Sequence, residues 1–268
     1  PELDAKRGEI IESLRGDSNA TAIIAIIEEL PFSFLRRHTA EELTIELRRV
    51  AKWFDQEQSC FCSALYEEEV ACTRFTIVVR LGEQRIGYFA RITAAFASMG
   101  LTIRRASIET IGDNLLWDNF WVDDPDHPGP PPLLRMDQVC EVVRKSLDQH
   151  DASLPKPRRT WAMEGSVEPS SVRLLPTKVV FDNDTFDHQT ILSIFTYDRQ
   201  GLLSLIAAAI SEMGVSIQFA KIDTHLDQIA DVFYVTESDD KPILSEQRQD
   251  DIRVAVLEAI SEDSPELV

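Results

Sequence analysis

Apolar residues recur at helical spacing through the first fifth of the chain, where Ile10, Ile11 and Leu14 share one face. The apolar run at 20–30 (ATAIIAIIEEL) predicts a second helix, stopped by Pro31. Thr39 followed by Glu42 is a capping box ahead of a third helix, whose stripe is Leu43, Leu47, Val50, Ala51 and Phe54. Residues 1–57 thus read as a helical segment, an appendage or a surface for a partner. The pattern then changes. Residues 75–81 form a β-branched run, and the loop at 82–85 leads into a helix over 87–99 with Phe89, Ile92, Phe96 and Met99 inward. Gly100 stands where a helix end needs a left-handed residue. Strands at 101–110 and 115–122 flank a Gly112-Asp113-Asn114 turn, and 134–147 supplies another helix. The same order returns as strand 190–196, helix 201–213, Gly214, strands 215–224 and 229–235, and helix 245–260.

The second set is a copy of the first. TIVVRLGEQRIGYFARITAAFASMGLTIRRASIETIGD (76–113) and TILSIFTYDRQGLLSLIAAAISEMGVSIQFAKIDTHLD (190–227) align without a gap, since 201 − 87, 214 − 100 and 220 − 106 all equal 114. After a one-residue slip, Asp118-Asn119-Phe120-Trp121-Val122 stands beside Asp231-Val232-Phe233-Tyr234-Val235. Strand, helix, two strands and a helix describe most of a ferredoxin-like sandwich, without its last strand. Residues 178–182 (KVVFD) and 60–66 (CFCSALY) each precede a first strand across a polar turn, so each is expected to supply the missing strand as a hairpin. The fold expected is α+β: two ferredoxin-like βαββαβ sandwiches, circularly permuted, behind the N-terminal helical segment. The domains are placed at 58–150 and 177–268. The proline- and charge-rich stretch 151–176 between them reads as linker, anchored by Trp161.

Composition narrows the partners. With 46 acidic against 27 basic residues the net charge is −19, which repels nucleic-acid phosphates and anionic lipid, so neither nucleic acid nor membrane is expected. No run of about 18 apolar residues spans a bilayer. The start, PELDAKRGEI, carries no signal peptide, and a cytoplasmic location is expected. Cys60, Cys62, Cys72 and Cys140 read as small buried hydrophobes, with Cys60 and Cys62 on one strand face. The five histidines, His38, His127, His150, His188 and His225, are scattered. The pair His150-Asp151 therefore lacks the convergent ligands of a metal site. Asp182-Asn183-Asp184 and Asp239-Asp240 read as solvated turns. Walker, GxSxG and HExxH motifs are absent. No catalytic residue, metal or cofactor is expected.

The segment DRQGLLSLIAAAISEMGVSIQFAKI followed by DVFYV resembles the ACT domain, with its DRPGLL turn entering the first helix. VVFDND, DNFWVDDPD and FSFLRRHTAEEL are similar, more narrowly, to the tandem ACT region of bifunctional uridylyltransferase/uridylyl-removing enzymes that modify the nitrogen-signalling protein PII. The resemblance implies side-by-side pairing of the units. It also implies a small amino acid, glutamine in that enzyme family, bound where the first turn of one unit meets the second strand of its neighbour. A glycine entering a helix suits this, because backbone amides at the positive helix end can approach a carboxylate.

Carried over by position, the second copy offers Asp198, Arg199, Gln200, Gly201, Leu202 and Leu203 with Ser216 and Ile217. The first offers Gln84, Arg85, Ile86, Gly87, Tyr88 and Phe89 with Thr102 and Ile103. The family's aspartate and proline are replaced by Gln84 and Ile86 in the first copy, and the proline by Gln200 in the second, so the second copy is expected to be the stronger site. Arg199 reads equally as a clamp on the ligand carboxylate or as a solvated or paired charge. Asp118 and Asp231, at strand starts, either pair with Arg85 and Arg199 or cap the hairpin. Three readings stand: an amino-acid-sensing regulatory module without catalysis of its own, a non-sensing homodimer or assembly module, and a regulatory piece of a PII uridylyltransferase. The partners they imply are an amino acid, a second copy, and a catalytic or PII-type protein.

Overall fold

The computed structural model describes residues 2–17, 19–54, 56, 58, 60–82, 86–112, 114–149, 153–158, 177–197, 199, 201–222, 224–225 and 228–262. Helices α1 (Glu2–Leu14), α2 (Ala20–Glu29), α3 (Phe32–Arg37) and α4 (Ala40–Phe54) come first. Pro31 ends α2 and also opens α3, its φ of −60° suiting a helix entry, so the helix at Phe32–Arg37 was hidden behind a residue read only as a stop. The capping box forms: the Thr39 amide donates to Glu42 Oε2 at 2.7 Å and the Glu42 amide to Thr39 Oγ1 at 3.1 Å.

The first unit follows as β1 (Cys60–Glu67), β2 (Cys72–Arg80), α5 (Tyr88–Ser98), β3 (Thr102–Ile111), β4 (Leu115–Asp123) and α6 (Leu133–Asp148). Its sheet runs β1-β2-β4-β3, every pair antiparallel. The second unit is β5 (Lys178–Asp182), β6 (Thr190–Tyr197), α7 (Leu202–Glu212), β7 (Ser216–Lys221), β8 (Thr224–His225), β9 (Gln228–Thr236) and α8 (Glu246–Glu262). Its order is β5-β6-β9-β7, with β8 on β9. The hairpin strands β1 and β5 fill the place beside the first strand, so both sandwiches are circularly permuted as expected. The strand expected over 215–224 is instead split into β7 and β8.

One feature of the repeat needs correction. Asp118 lies opposite Ile77, and its counterpart Asp231 lies opposite Ile194, so the first strands correspond at 194 − 77 = 117, not 114. Because side chains alternate faces, the odd difference of three would otherwise put the inward Ile77 in register with the outward Ile191. The turn of the first copy is therefore three residues longer than that of the second. Beyond it the helices return to 202 − 88 = 114, and the last strands to 228 − 115 = 113. Both second strands even bulge at the same place, between Ile103 and Arg105 and between Ile217 and Phe219.

The helical segment is no free appendage. Ile10, Leu14, Ile27, Phe34, Leu47 and Val50 share a core with Val78, Ile111, Leu115 and Trp117 on the outer face of the first sheet. The two units pair within the one chain. Helix α5 packs on α7, the edge strand β3 faces β7, and a single apolar core runs through both units. Phe89 crosses the junction, stacked on Phe120 with centroids 5.9 Å apart and edge-on to Phe233 at 6.3 Å. No described helix is long and apolar enough to cross a membrane.

Candidate functional site

Gly87 opens α5 in the left-handed region, with φ of 99°. Only glycine adopts this conformation without strain, and the first-turn amides that follow it have no intrahelical acceptor. Facing them across the junction are Ala207 and Ser211 of α7 and Val215 and Ile217 at the entry to β7. Ile108 and Leu116 close the floor. Together these residues bound a cavity of about 30 Å³, space for one or two waters. A Cβ on Gly87 would lie a tight 3.3 Å from Ser211 Oγ, though it is the positive φ that calls for glycine here.

The first-copy positions Ile86, Gly87, Tyr88 and Phe89 line this cavity together with Ile217 of the second copy. Turn of one unit and strand of the other thus meet. Thr102 lies elsewhere, with Arg104, Asp123 and His127 around an open hollow of about 430 Å³, and Ile103 packs against the core. Ser216 Oγ accepts a bond from Gln218 Nε2 at 3.2 Å. Gln84, Arg85, Asp198 and Gln200 lie outside the described residues, as does Trp161. Arg199 donates to the Ile260 carbonyl in the last turn of α8, which favours a cation. Leu202 and Leu203 are buried, and Gly201, with φ of 80°, lies against Pro157 rather than an open space. The residues that sequence reading missed, Ala207, Ser211, Val215, Ile108 and Leu116, come to the site only through the pairing of units.

Asp118 and Asp231 do not cap a hairpin. Both lie inside their strands, wholly buried, and Asp118 stands between Ile77 and Ile108 in register. Its carboxylate oxygens have no hydrogen-bond partner among the described residues, and burial holds its pKa well above the ordinary aspartate value. All four cysteines are free and buried, and Cys62 and Cys140 lie close enough for a thiol–thiol hydrogen bond. No group of three or more acidic, histidine or cysteine side chains among the described residues is arranged to hold a metal.

Residues 75–135, from β2 into α6, match the family model of the ACT domain. The first unit is an ACT domain. The second repeats its sheet order, with the short β8 added, giving a tandem of two units with one ACT-like fold. The chain is similar to bifunctional uridylyltransferase/uridylyl-removing enzymes. Identity is 28% over 174 residues with that of Methylococcus capsulatus, covering 65% of this chain and 19% of the relative. It is 27% over 213 residues with that of Erythrobacter litoralis, covering 80% and 22%. With that of Gluconobacter oxydans it is 30% over 184 residues, covering 64% and 17%. The ACT tandem and its helical segment thus span about a fifth of the length of the curated relatives matched. A solved aspartate kinase from Synechocystis aligns over 71% of this chain and 27% of its own at 15% identity, with a TM-score of 0.38, too slight a likeness to argue from.

Proposed function

We propose that this chain is a regulatory module that senses an amino acid, glutamine, at the junction of its two ACT units, without catalysis of its own. The observation that carries this reading is the cavity between the Gly87 turn and β7, built from both units. Its chemistry suits a small zwitterion. The start of α5 brings its first-turn amides and a positive helix end to a carboxylate, and Ser211 Oγ offers a hydrogen bond from the other unit. At about 30 Å³ the cavity is far smaller than an amino acid. Binding therefore requires the Gly87 turn and β7 to part, which turns occupancy into a change in how the units sit. A ligand shifts that equilibrium only by its unequal affinity for the two arrangements. In a longer protein like the relatives matched, that movement would pass to uridylyl-transferring and uridylyl-removing domains.

Thermal unfolding of the chain with each of the twenty amino acids tests the reading. A ligand at a hundred times its Kd stabilises by about 2.7 kcal/mol. Glutamine is expected to raise the Tm and its closest analogues to raise it less. No shift with any amino acid, together with self-association of the chain, would support the assembly module instead.

A further inference from the structure

The two units meet through equivalent elements, α5 on α7 and β3 beside β7, and a twofold relation between them would give the approach of Gly87 to Ser211 a twin. Since 87 + 114 = 201 and 211 − 114 = 97, the twin should bring Gly201 against Ala97 at the end of α5. The structure puts something else there. A Cβ on Gly201 would meet Pro157 Cγ at 3.1 Å and Pro157 Cβ at 3.3 Å, and the next residue, Arg158, donates its backbone amide to the Ala97 carbonyl at 3.0 Å. The segment between the units thus lies between the two residues that the symmetry pairs. Two further contacts hold it. Leu154 packs against the shared core, and the Arg158 guanidinium pairs with Asp126 at 2.6 Å.

We infer that residues 154–158 are a built-in occupant of the second junction site, a strap that covers the Gly201 turn and leaves the Gly87 site as the one open to a ligand. A backbone amide seated on a helix-end carbonyl and a proline ring set against a glycine are contacts that a bound peptide would make. They cost little to hold here, because the segment is tethered at both ends. The strap breaks the equivalence of two sites that the fold itself makes alike. It assigns the second site to whatever lifts the strap, and an amino acid of the class that fills the first is the ligand expected there. This inference rests on the amino-acid reading above for the ligand, but not for the strap.

Hydrogen exchange and calorimetry test the two parts separately, on wild type, Pro157→Asp and Asp126→Asn. The first variant places a charge in the seat. The second loosens Arg158 from outside the site and leaves every core residue in place. In wild type the Arg158 amide is expected to exchange at least tenfold more slowly than an unstructured amide, and in both variants that protection is lost while α1 and α4 keep theirs. Both variants are then expected to bind one more equivalent of L-glutamine, or of whichever of the twenty amino acids binds, than wild type does. An unprotected Arg158 amide in wild type would overturn the strap. Variants with a released strap that bind no more than wild type would overturn its covering of a site. Silent wild type with one equivalent gained by the variants would support the strap while removing the open Gly87 site.

Discussion

Phe89 of the first ACT unit stands edge-on to Phe233 of the second, with ring centroids 6.3 Å apart. Its face is stacked on Phe120 of its own unit, so the ring joins the two cores. Phe89→Ala therefore opens a void shared by both units, at a cost of about 3–5 kcal/mol. We expect denaturant unfolding to show both units destabilised together, and a loss confined to one unit would mean that their cores are separate.

Asp118 makes stability depend on pH with a definite sign. Burial raises its pKa in the fold, so between the ordinary aspartate value and that raised value the folded chain holds a proton that the unfolded chain has released. Its contribution is fully present below the unfolded pKa and is lost as pH rises through the folded one. Asp118→Asn removes the titration. Urea unfolding from pH 4 to pH 8 should find the variant gaining on wild type as pH rises, and a constant difference would show that Asp118 ionises normally.

Much of this fold was legible, for reasons that particular residues make plain. Thr39 and Glu42 announce a helix start chemically, and Gly87, Gly100, Gly201 and Gly214 mark positions that all take positive φ. The strands at 60–66 and 178–182 could be placed because a sandwich lacking an edge strand has room in one position only. What the sequence hid was parity. Helices cover both faces of β2, so its run of buried residues does not alternate, and nothing in it showed that Ile77 matches Ile194 rather than Ile191. The candidate site was half legible. A turn declares its own glycine and amides, but Ser211 and Val215 face it from the other unit, and periodicity within one helix does not say what lies opposite.

The capping box gives a local test of the helical segment. Both of its bonds are present, so Thr39→Ala should cost about 1 kcal/mol. A drop in Tm with unchanged junction behaviour is the expected outcome. No drop would mean that packing against α1, α2 and β1 alone holds α4.

Arg74 ties that segment to the sheet. Its Nη1 donates to Glu46 of α4 at 2.5 Å and its Nε to Glu67 at 2.6 Å, and little of the guanidinium reaches solvent. Removing one partner of a buried pair costs about 3–5 kcal/mol, and Glu67 remains to hold the charge, so Glu46→Gln should fall at the lower end. Urea unfolding measures it. A change under about 0.5 kcal/mol would class the pair with exposed salt bridges.

Calorimetric titration with L-glutamine tests the central claim most directly, on wild type beside Gly87→Val and Ser211→Leu, which fill the junction from its two sides. We expect about one equivalent bound by wild type and none by either variant, with Gly87→Val also losing about 1–2 kcal/mol of stability to its left-handed backbone. Undiminished binding by both variants, or no binding by wild type, would contradict a ligand site at the Gly87 turn.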